Sequence, residues 1–554
     1  MKLEIKENFI DKTIKYFSPV SAQRRMRART ILALSGAYIG ARTDRRQTVQ
    51  WRTSRGDADK DILFNLQTLR ERSRDSIRNN PIATGAINIH AGNIIGRGLK
   101  LQSRINRQLL GMDDADADAW ENITETEFSL WADSKECDIS RTLTFYDFQS
   151  LTVRQMFENG DVFILTPRIP NKTNPYSLKL QLIEADRVSN KDGTANTAAL
   201  SGGIQKDENG APLMYHIMRQ HPGSIFLNSK REWDLVPAFS QNTGLRNVLH
   251  LFRPLRPGQS RGVPELAPVI EQLKQLDRYT EAELMAVVLN SLLTVFIETE
   301  TGEVDFDITN TKDETGAETT DNDIKLGSGS IVGLAPGEKI SIAESKRPNA
   351  NFDPFFQAIL RQIGTALEIP FEVLIKHFTA SYSASRAALM DAYRFFRQRR
   401  EWLVRHFCQE IYEIWLYEAV ALGRIKAPGF FSDPLLKWAY SRSVWIGDAP
   451  IQIDPEKEIN AAEKRIATCL STVDEETAFI TGGDFETNFP RIRKEVRMFN
   501  FLGLKHPAEK ENSIPAPIKQ SQQNMEKEED ETQVDDSSTL RVIDDHRVER
   551  NKKL

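Results

Sequence analysis

The sequence predicts an α+β fold, on three observations. Segments with apolar residues at helical spacing, opened by Asn or Pro and stopped by Gly, alternate with short β-branched runs that read as strands. At "TFYDFQSLTVRQMFENGDVFIL" a helix passes through Gly160 straight into a strand. The chain has 554 residues, 40% hydrophobic and 27% charged, which suffices for two to four domains with a sizeable core.

In order along the chain, residues 1–56 are rich in arginine ("SAQRRMRART", "ARTDRRQTVQWRTSRG") and poor in periodicity, so they predict a basic arm with a short helix. Within it, "TILALSGAYIGA" is apolar but only about a dozen residues long, short of the roughly 20 that span a bilayer. Gly36 and Gly40 interrupt it, and neither a membrane role nor a targeting segment is expected. Residues 57–262 predict an α+β body. Ile62, Leu66 and Leu69 share a helix face, with Arg70, Arg72, Arg74 and Arg78 expected outside. Asn80 then caps a new helix with Pro81 at its first position. Ala83, Gly85, Ala86, Ala91 and Gly92 leave that helix almost without bulk, which favours close approach of another backbone. A helix pair carrying Trp120, Phe128 and Trp131 follows, and strand-and-turn material runs to about 260.

Residues 263–368 predict two helices, the first from Val263-Pro264 to about Asn290 with Leu266, Ile270, Leu273, Leu276 and Leu284 on one face. The second is capped by Asp353-Pro354 and runs to about Glu368. Strands ("LLTVFIETE", "GSIVGL") and a polar insertion at 301–323 lie between, at about 291–350. Residues 369–507 open on a loop and continue in one helix from about Ser385 to Leu422, near 55 Å at 1.5 Å per residue, closed by Gly423. Residues 508–554 are Glu-, Gln-, Ser- and Lys-rich and predict a disordered tail.

Composition and motifs exclude much. The net charge of −5 is not that of a generally nucleic-acid-binding chain, so DNA contact would come from local basic faces or occur without tight binding. Cys137, Cys408 and Cys469 are far apart and odd in number, as in a reducing compartment. The glycines Gly92, Gly96 and Gly98 follow a helix instead of opening one and do not spell a dinucleotide fingerprint; no phosphate-binding loop occurs. Asp114, Asp116, Asp118 and Glu125 match positions 1, 3, 5 and 12 of a calcium loop, but Ala119 stands where the turn needs Gly. An acidic first helical turn is the preferred reading. The eight histidines form no ligand pair, "LGSGS" at 326–330 resembles a nucleophile elbow only superficially, and no carboxylate set marks a nuclease. No cofactor, metal or catalytic residue is expected. The best nucleic-acid candidate is a basic aromatic helix: Arg386, Arg394, Arg397, Arg399, Arg400 and Arg405 interleaved with Tyr393, Phe395, Phe396 and Trp402. It reads either as a phosphate-contacting face or, preferentially, as an amphipathic helix whose aromatics are core and whose arginines pair with neighbours.

"RERSRDSIRNNPIATGAINIHAGNIIGRGLKLQ" resembles the opening motif of the portal proteins of lambda-like tailed bacteriophages. The likeness continues in order through "WADSKECDISRTLTFYDFQSLTVRQMFENGDVFIL", "LQLIEADRV", "VLHLFRPLRPGQSRGVPELAPVI", "IPFEVLIKHFTASYSASRAALMDAYRFFRQRREWLV" and "WIGDAPIQIDPEKEINAAEKRIATCLST". Six blocks spanning roughly residues 38 to 500 in one order are specific. The resemblance implies a homo-oligomeric ring of about twelve subunits at one capsid vertex of the virion, assembled in the host cytoplasm. It implies a portal-type fold with a wing body (57–262), stem helices with an inserted clip (263–368), and a long wing helix with a crown-like region (369–507). Double-stranded DNA would pass through the ring without sequence reading, pumped by a separate terminase. Major capsid, scaffold and neck or tail-completion proteins would be the other partners. It also puts residues 376–386 near the channel constriction, making Lys376, His377 and Arg386 the DNA-channel candidates. The rival function is a DNA-processing enzyme or recombinase using the basic helix; a monomeric scaffold protein is a weaker third.

Overall fold

The computed structural model describes residues 9–34, 50, 53, 55–170, 172–225, 231–291, 295–298, 339–342, 351–378, 381–450 and 454–504. Most of the arm's second half, the 301–323 insertion, "LGSGS", "GSIVGL" and the tail beyond 504 lie outside them. Two helices, α1 (Phe9–Phe17) and α2 (Pro19–Leu34), come first, followed by α3 (Ala58–Leu63), α4 (Leu66–Asn79) and α5 (Pro81–Ile94). The Asn80 side chain accepts from Ala83 N at 2.9 Å with Pro81 behind it, which starts α5 as expected. Ala83 and Ala86 on α5 are fully buried, whereas a side chain at Gly85 or Gly92 would meet nothing within 4 Å. Among the described residues the small-residue face is thus only half used.

Strand β1 (Lys100–Ser103) pairs antiparallel with the distant β11 (Ser443–Ile446), joining the two ends of the body. Between them lie α6 (Arg107–Leu110), α7 (Asp114–Ala132), α8 (Phe145–Asn159) and strands β2 (Asp161–Leu165), β3 (Gln181–Ile183), β4 (Leu200–Ser201), β5 (Ile204–Lys206), β6 (Pro212–Met218), β7 (Trp233–Pro237) and β8 (Val248–Phe252). These form a three-stranded sheet ordered β3-β2-β8 and a four-stranded sheet ordered β4-β5-β6-β7, both antiparallel. The calcium-like run is the first turn of α7, where Asp113 accepts from Asp116 N at 2.8 Å and Asp114 pairs with Arg107. Carboxylates sit well at that positive end.

The second half runs α9 (Ile270–Ser291), β9 (Val295–Glu298), β10 (Lys339–Ile342), α10 (Phe352–Ala366), α11 (Phe371–Leu374), α12 (Tyr382–Leu403), α13 (Gln409–Ala421), α14 (Pro434–Tyr440), β11, α15 (Pro455–Ala467) and α16 (Val473–Thr481). β9 and β10 pair with each other. Three expectations need correction. A 3-10 turn, Ala267–Val269, precedes α9, so the helix starts beyond Pro268 instead of at Val263-Pro264. Leu273 and Leu276 are buried, but Leu284 is 64% exposed, so the core face ends partway along α9. Asn351, and not Asp353, is the cap of α10; the Asp353 carboxylate accepts from Gln357 Nε2 at 2.8 Å instead. The long helix does run continuously, from Tyr382 to Ala421, with a π turn at Val404–Cys408 and Gly423 in the left-handed region behind it.

The core centres on aromatic residues far apart in sequence. Phe128 packs at ring distances of 5.1–5.8 Å against Trp131, Phe145, Trp415 and Trp445. It thereby ties α7, α8, α13 and β11 together, and truncating it to Ala would cost about 3–5 kcal/mol. Glu418 of α13 accepts from the Ser177 and Leu178 amides at 2.5 and 3.0 Å, satisfying backbone just ahead of β3. A second unit begins at Asp484; its described part is α17 (Phe485–Phe501), capped by Asp484 and carrying Pro490.

Candidate nucleic-acid interface

The loop between α10 and α12 is shaped by two non-glycine residues in the left-handed region, Glu368 and Lys376, one on each side of α11. Such a conformation is uncommon outside Gly, Asn and Asp and reverses the chain sharply. Lys376, His377 and Phe378 are exposed there, with His377 N donating to Glu372 O at 3.0 Å. Residues 379 and 380 lie outside the described set. Arg386, in the second turn of α12, forms an ion pair with Glu458 of α15. The structure therefore puts Lys376 and His377 side by side, while no contact joins Arg386 to either of them among the described residues.

The basic helix α12 divides by face. Phe395 and Phe396 are buried and Arg394 and Arg397 are exposed. Arg399 and Arg400 turn inward. Arg399 pairs with Glu265 and lies over the Phe395 and Phe157 rings at 4.8 and 5.5 Å; burial pulls its guanidinium below the ordinary value and Glu265 offsets part of that. Arg400 donates to the carbonyls of Ile94, Asn93 and Asp448 at 2.8, 2.9 and 3.1 Å, so it closes the negative end of α5. Of the six arginines proposed as a DNA face, these two serve packing.

Asp448 also explains the Gly-Arg-Gly exit from α5. Its carboxylate accepts from Arg97 N at 3.0 Å and Arg97 Nε at 2.9 Å. A side chain at Gly96 would stand 2.1 Å from it, and one at Gly98 2.6 Å from Tyr146. Both glycines have positive φ. The motif is a close-packing turn.

Behind Arg399 lies His90 of α5, fully buried and stacked on Phe157 at 4.7 Å. The Leu367 backbone approaches the imidazole without completing a hydrogen bond of ordinary geometry. Burial, with the neighbouring Arg399 charge, drops its pKa to about 3. Glu265 leads into α9 and Leu367 ends α10, so both helices meet the body beside this histidine; α9 is held farther along by Asp277, whose carboxylate accepts from Asn80 Nδ2 at 2.7 Å. Farther out the two helices touch through Tyr279, whose ring lies 5.3 Å from Phe352 and 5.1 Å from Phe355.

The feature that sequence reasoning missed is a buried hub on Asp161, the first residue of β2. Its carboxylate accepts from Arg70 Nη2 at 2.6 Å, Arg261 Nε at 2.6 Å and Gly262 N at 3.1 Å, and it faces His250 Nε2 at 3.3 Å. Arg261 also donates to the carbonyls of Val188, Gly202 and Ala185, each at 2.7 Å. Arg70 is therefore inside, contrary to the expectation that it faces solvent: the carboxylates of Asp161 and Asp186 compensate its desolvation. Burial pushes the Asp161 carboxyl up, but Arg261 and Arg70 overcome it and hold the group well below the usual range. A carboxylate so fully engaged has no open position for a metal or substrate. Among the described residues no group of three or more His, Cys, Asp or Glu could hold a metal ion, and no helix is long and apolar enough to cross a membrane.

A sequence profile described as phage portal protein, lambda family, matches residues 44–400. The portal protein B of Escherichia phage lambda is 25% identical over 495 residues, covering 86% of this chain and 92% of its own. The portal protein of Escherichia phage N15 is 25% identical, covering 85% and 92%. A probable portal protein of Halomonas phage phiHAP-1 is 27% identical, covering 82% and 85%. Among solved structures, a chain from the neck of a native gene transfer agent particle, computed with C12 symmetry, is similar at 11% identity with a TM-score of 0.40, covering 74% of this chain and 92% of that one.

Proposed function

Because this chain belongs to the lambda family of phage portal proteins, a structural and non-enzymatic component of the virion, we propose that it acts as one subunit of a ring of about twelve through which double-stranded DNA enters and leaves the capsid. The family match carries this reading. It runs without a break from the arm through the loop after α10 and to Arg400 of α12. A DNA-processing enzyme is set aside by the same finding.

In this reading α9 and α10 are the stem pair, residues of about 291–350 the clip that meets the terminase and later the neck proteins, and residues 376–386 the edge of the channel. Two long helices that leave and re-enter the body at the His90–Arg399 joint support the stem assignment. The exposed Lys376 and His377 support the channel assignment. A conduit must let DNA slide: few cationic side chains per subunit, on a chain of net charge −5, give weak, salt-dependent and sequence-blind contacts.

The terminase is proposed to supply all of the work. Incubated with ATP and DNA in the absence of terminase, the purified chain should hydrolyse no ATP and cut no DNA with any divalent metal. Turnover or cleavage abolished by a point substitution within this chain would overturn the division of labour.

A further inference from the structure

Beside the exposed face of α12 lies a groove of about 470 Å³. Its floor is apolar: Leu389, Met390, Tyr393, Pro450 and Phe479 line it, with Met390 62% exposed. Its rim is basic. Arg394 and Arg397 are exposed, and neither forms an ion pair among the described residues. Arg397 lies over the Phe479 ring at 5.3 Å. The groove's own carboxylates are committed: Glu458 pairs with Arg386, and Glu401 lies 4.0 Å from Arg405. Such a groove fits an acidic helix with apolar side chains on its exposed face.

α7 presents that face. Asp116, Ala119, Ile123, Thr126 and Leu130 recur along it every three or four residues and are all exposed, Ile123 by 54% and Leu130 by 49%. The stripe is about 20 Å long. α7 contains no Lys or Arg, and Asp116 and Asp118 on it form no ion pair among the described residues. Two other described helices of at least two turns carry acids and no cation, α13 and α16, but their carboxylates are engaged. Those of α13 are taken by Arg246, Gln409 and the amides ahead of β3, and those of α16 by Arg104, Arg465 and its own capping box. The α7 stripe cannot reach the groove of its own copy: through Phe128 the helix packs on Trp415, roughly 30 Å from Tyr393 along the continuous long helix. One copy thus carries two complementary surfaces at separate places, as a head-to-tail contact in a closed ring requires. We propose that α7 of one copy lies in the α12 groove of the next. Its acidic first turns meet Arg394 and Arg397, and Ile123 and Leu130 cover the Met390–Tyr393–Phe479 floor. The proposal rests on the ring reading and names the surfaces through which neighbouring bodies meet.

The test uses the full chain with I123C/M390C in a C469S background, which leaves only the buried Cys137 and Cys408 among the native thiols. Mild oxidation should give a ladder of disulfide-linked multimers on a non-reducing gel, because every copy carries both partners. A mixture of I123C chains and M390C chains should stop at the dimer, and neither variant alone should cross-link. Without added thiols, D116R/D118R should lower the fraction of assembled ring about tenfold, since a modest loss at one contact recurs at every contact around the ring. Adding R394E/R397E to the same chain should restore it. Rings that assemble without the 123–390 disulfide, or a charge reversal that the compensating pair does not rescue, would overturn the contact and leave the ring reading standing. Only monomers from the parent chain would overturn the ring reading and the contact with it. Loss of the ladder on adding duplex DNA would assign the groove to DNA and overturn the proposal as well.

Discussion

The hub at Asp161 and the loop from Lys376 to Arg386 use the same side chains to opposite ends. At the hub, Arg70 and Arg261 are 5% and 2% exposed and share one carboxylate that solvent does not reach. In the loop region, Lys376 and His377 face solvent, and Arg386 keeps a partner whose side chain is itself 26% exposed. Desolvated charges must be paired to exist, whereas exposed charges are free to meet and release a phosphate. Position in the fold, and not residue type, separates an arginine that holds the body together from one left near the surface.

The largest effect should therefore come from the hub. D161A removes the carboxylate that both buried guanidiniums share, leaving Arg70 with Asp186 alone and Arg261 with backbone carbonyls only, and should lose about 3–5 kcal/mol in denaturant unfolding; a loss near that of a surface substitution would show that water reaches the hub. Arg399→Met removes a charged hydrogen bond to Glu265 at the joint of α9 and α10 and should cost about 2 kcal/mol by the same measurement.

His90 predicts a pH dependence. Its folded pKa of about 3 lies below the unfolded value near 6.5, so between these the unfolded chain binds the proton. Stability is then full above about 6.5 and falls as pH drops toward 3, by up to about 1.4 kcal/mol per unit. His250, also depressed by burial, acts with the same sign. H90L should flatten the acid slope of unfolding free energy against pH relative to the parent chain; an unchanged slope would remove His90 as its source.

The smallest stability effect belongs to the loop. K376A/H377A/R386A gives up one partly exposed ion pair and should change stability by at most about 1 kcal/mol, leave the ring assembled and lower the amount of DNA packaged or retained. Normal packaging would refute the channel assignment, and loss of the ring would make these residues subunit contacts. Truncation after Pro507 should leave assembly intact.

Much of the body was legible in the sequence where local chemistry decides structure. Asn80-Pro81 started α5, Gly160 stopped α8, and the acidic run at Asp114 was a helical turn, because caps and dipoles act within a few residues. The inward arginines were not legible. Arg70 and Arg72 are both arginines in one helix, and only Asp161 and Asp186, about ninety residues and more away, decide which is buried. Arg400 likewise looks like a DNA-facing residue until the carbonyl end of α5 is beside it. The exposed half of α9, with Leu284, Met285 and Val287, has apolar residues like its buried half; the described residues leave these side chains exposed.

Sedimentation of the purified chain under native conditions, with negative-stain imaging of the same sample, tests the central reading most directly. A ring of about twelve subunits with an open central passage is predicted; only monomers or dimers, across salt and concentration, would contradict it.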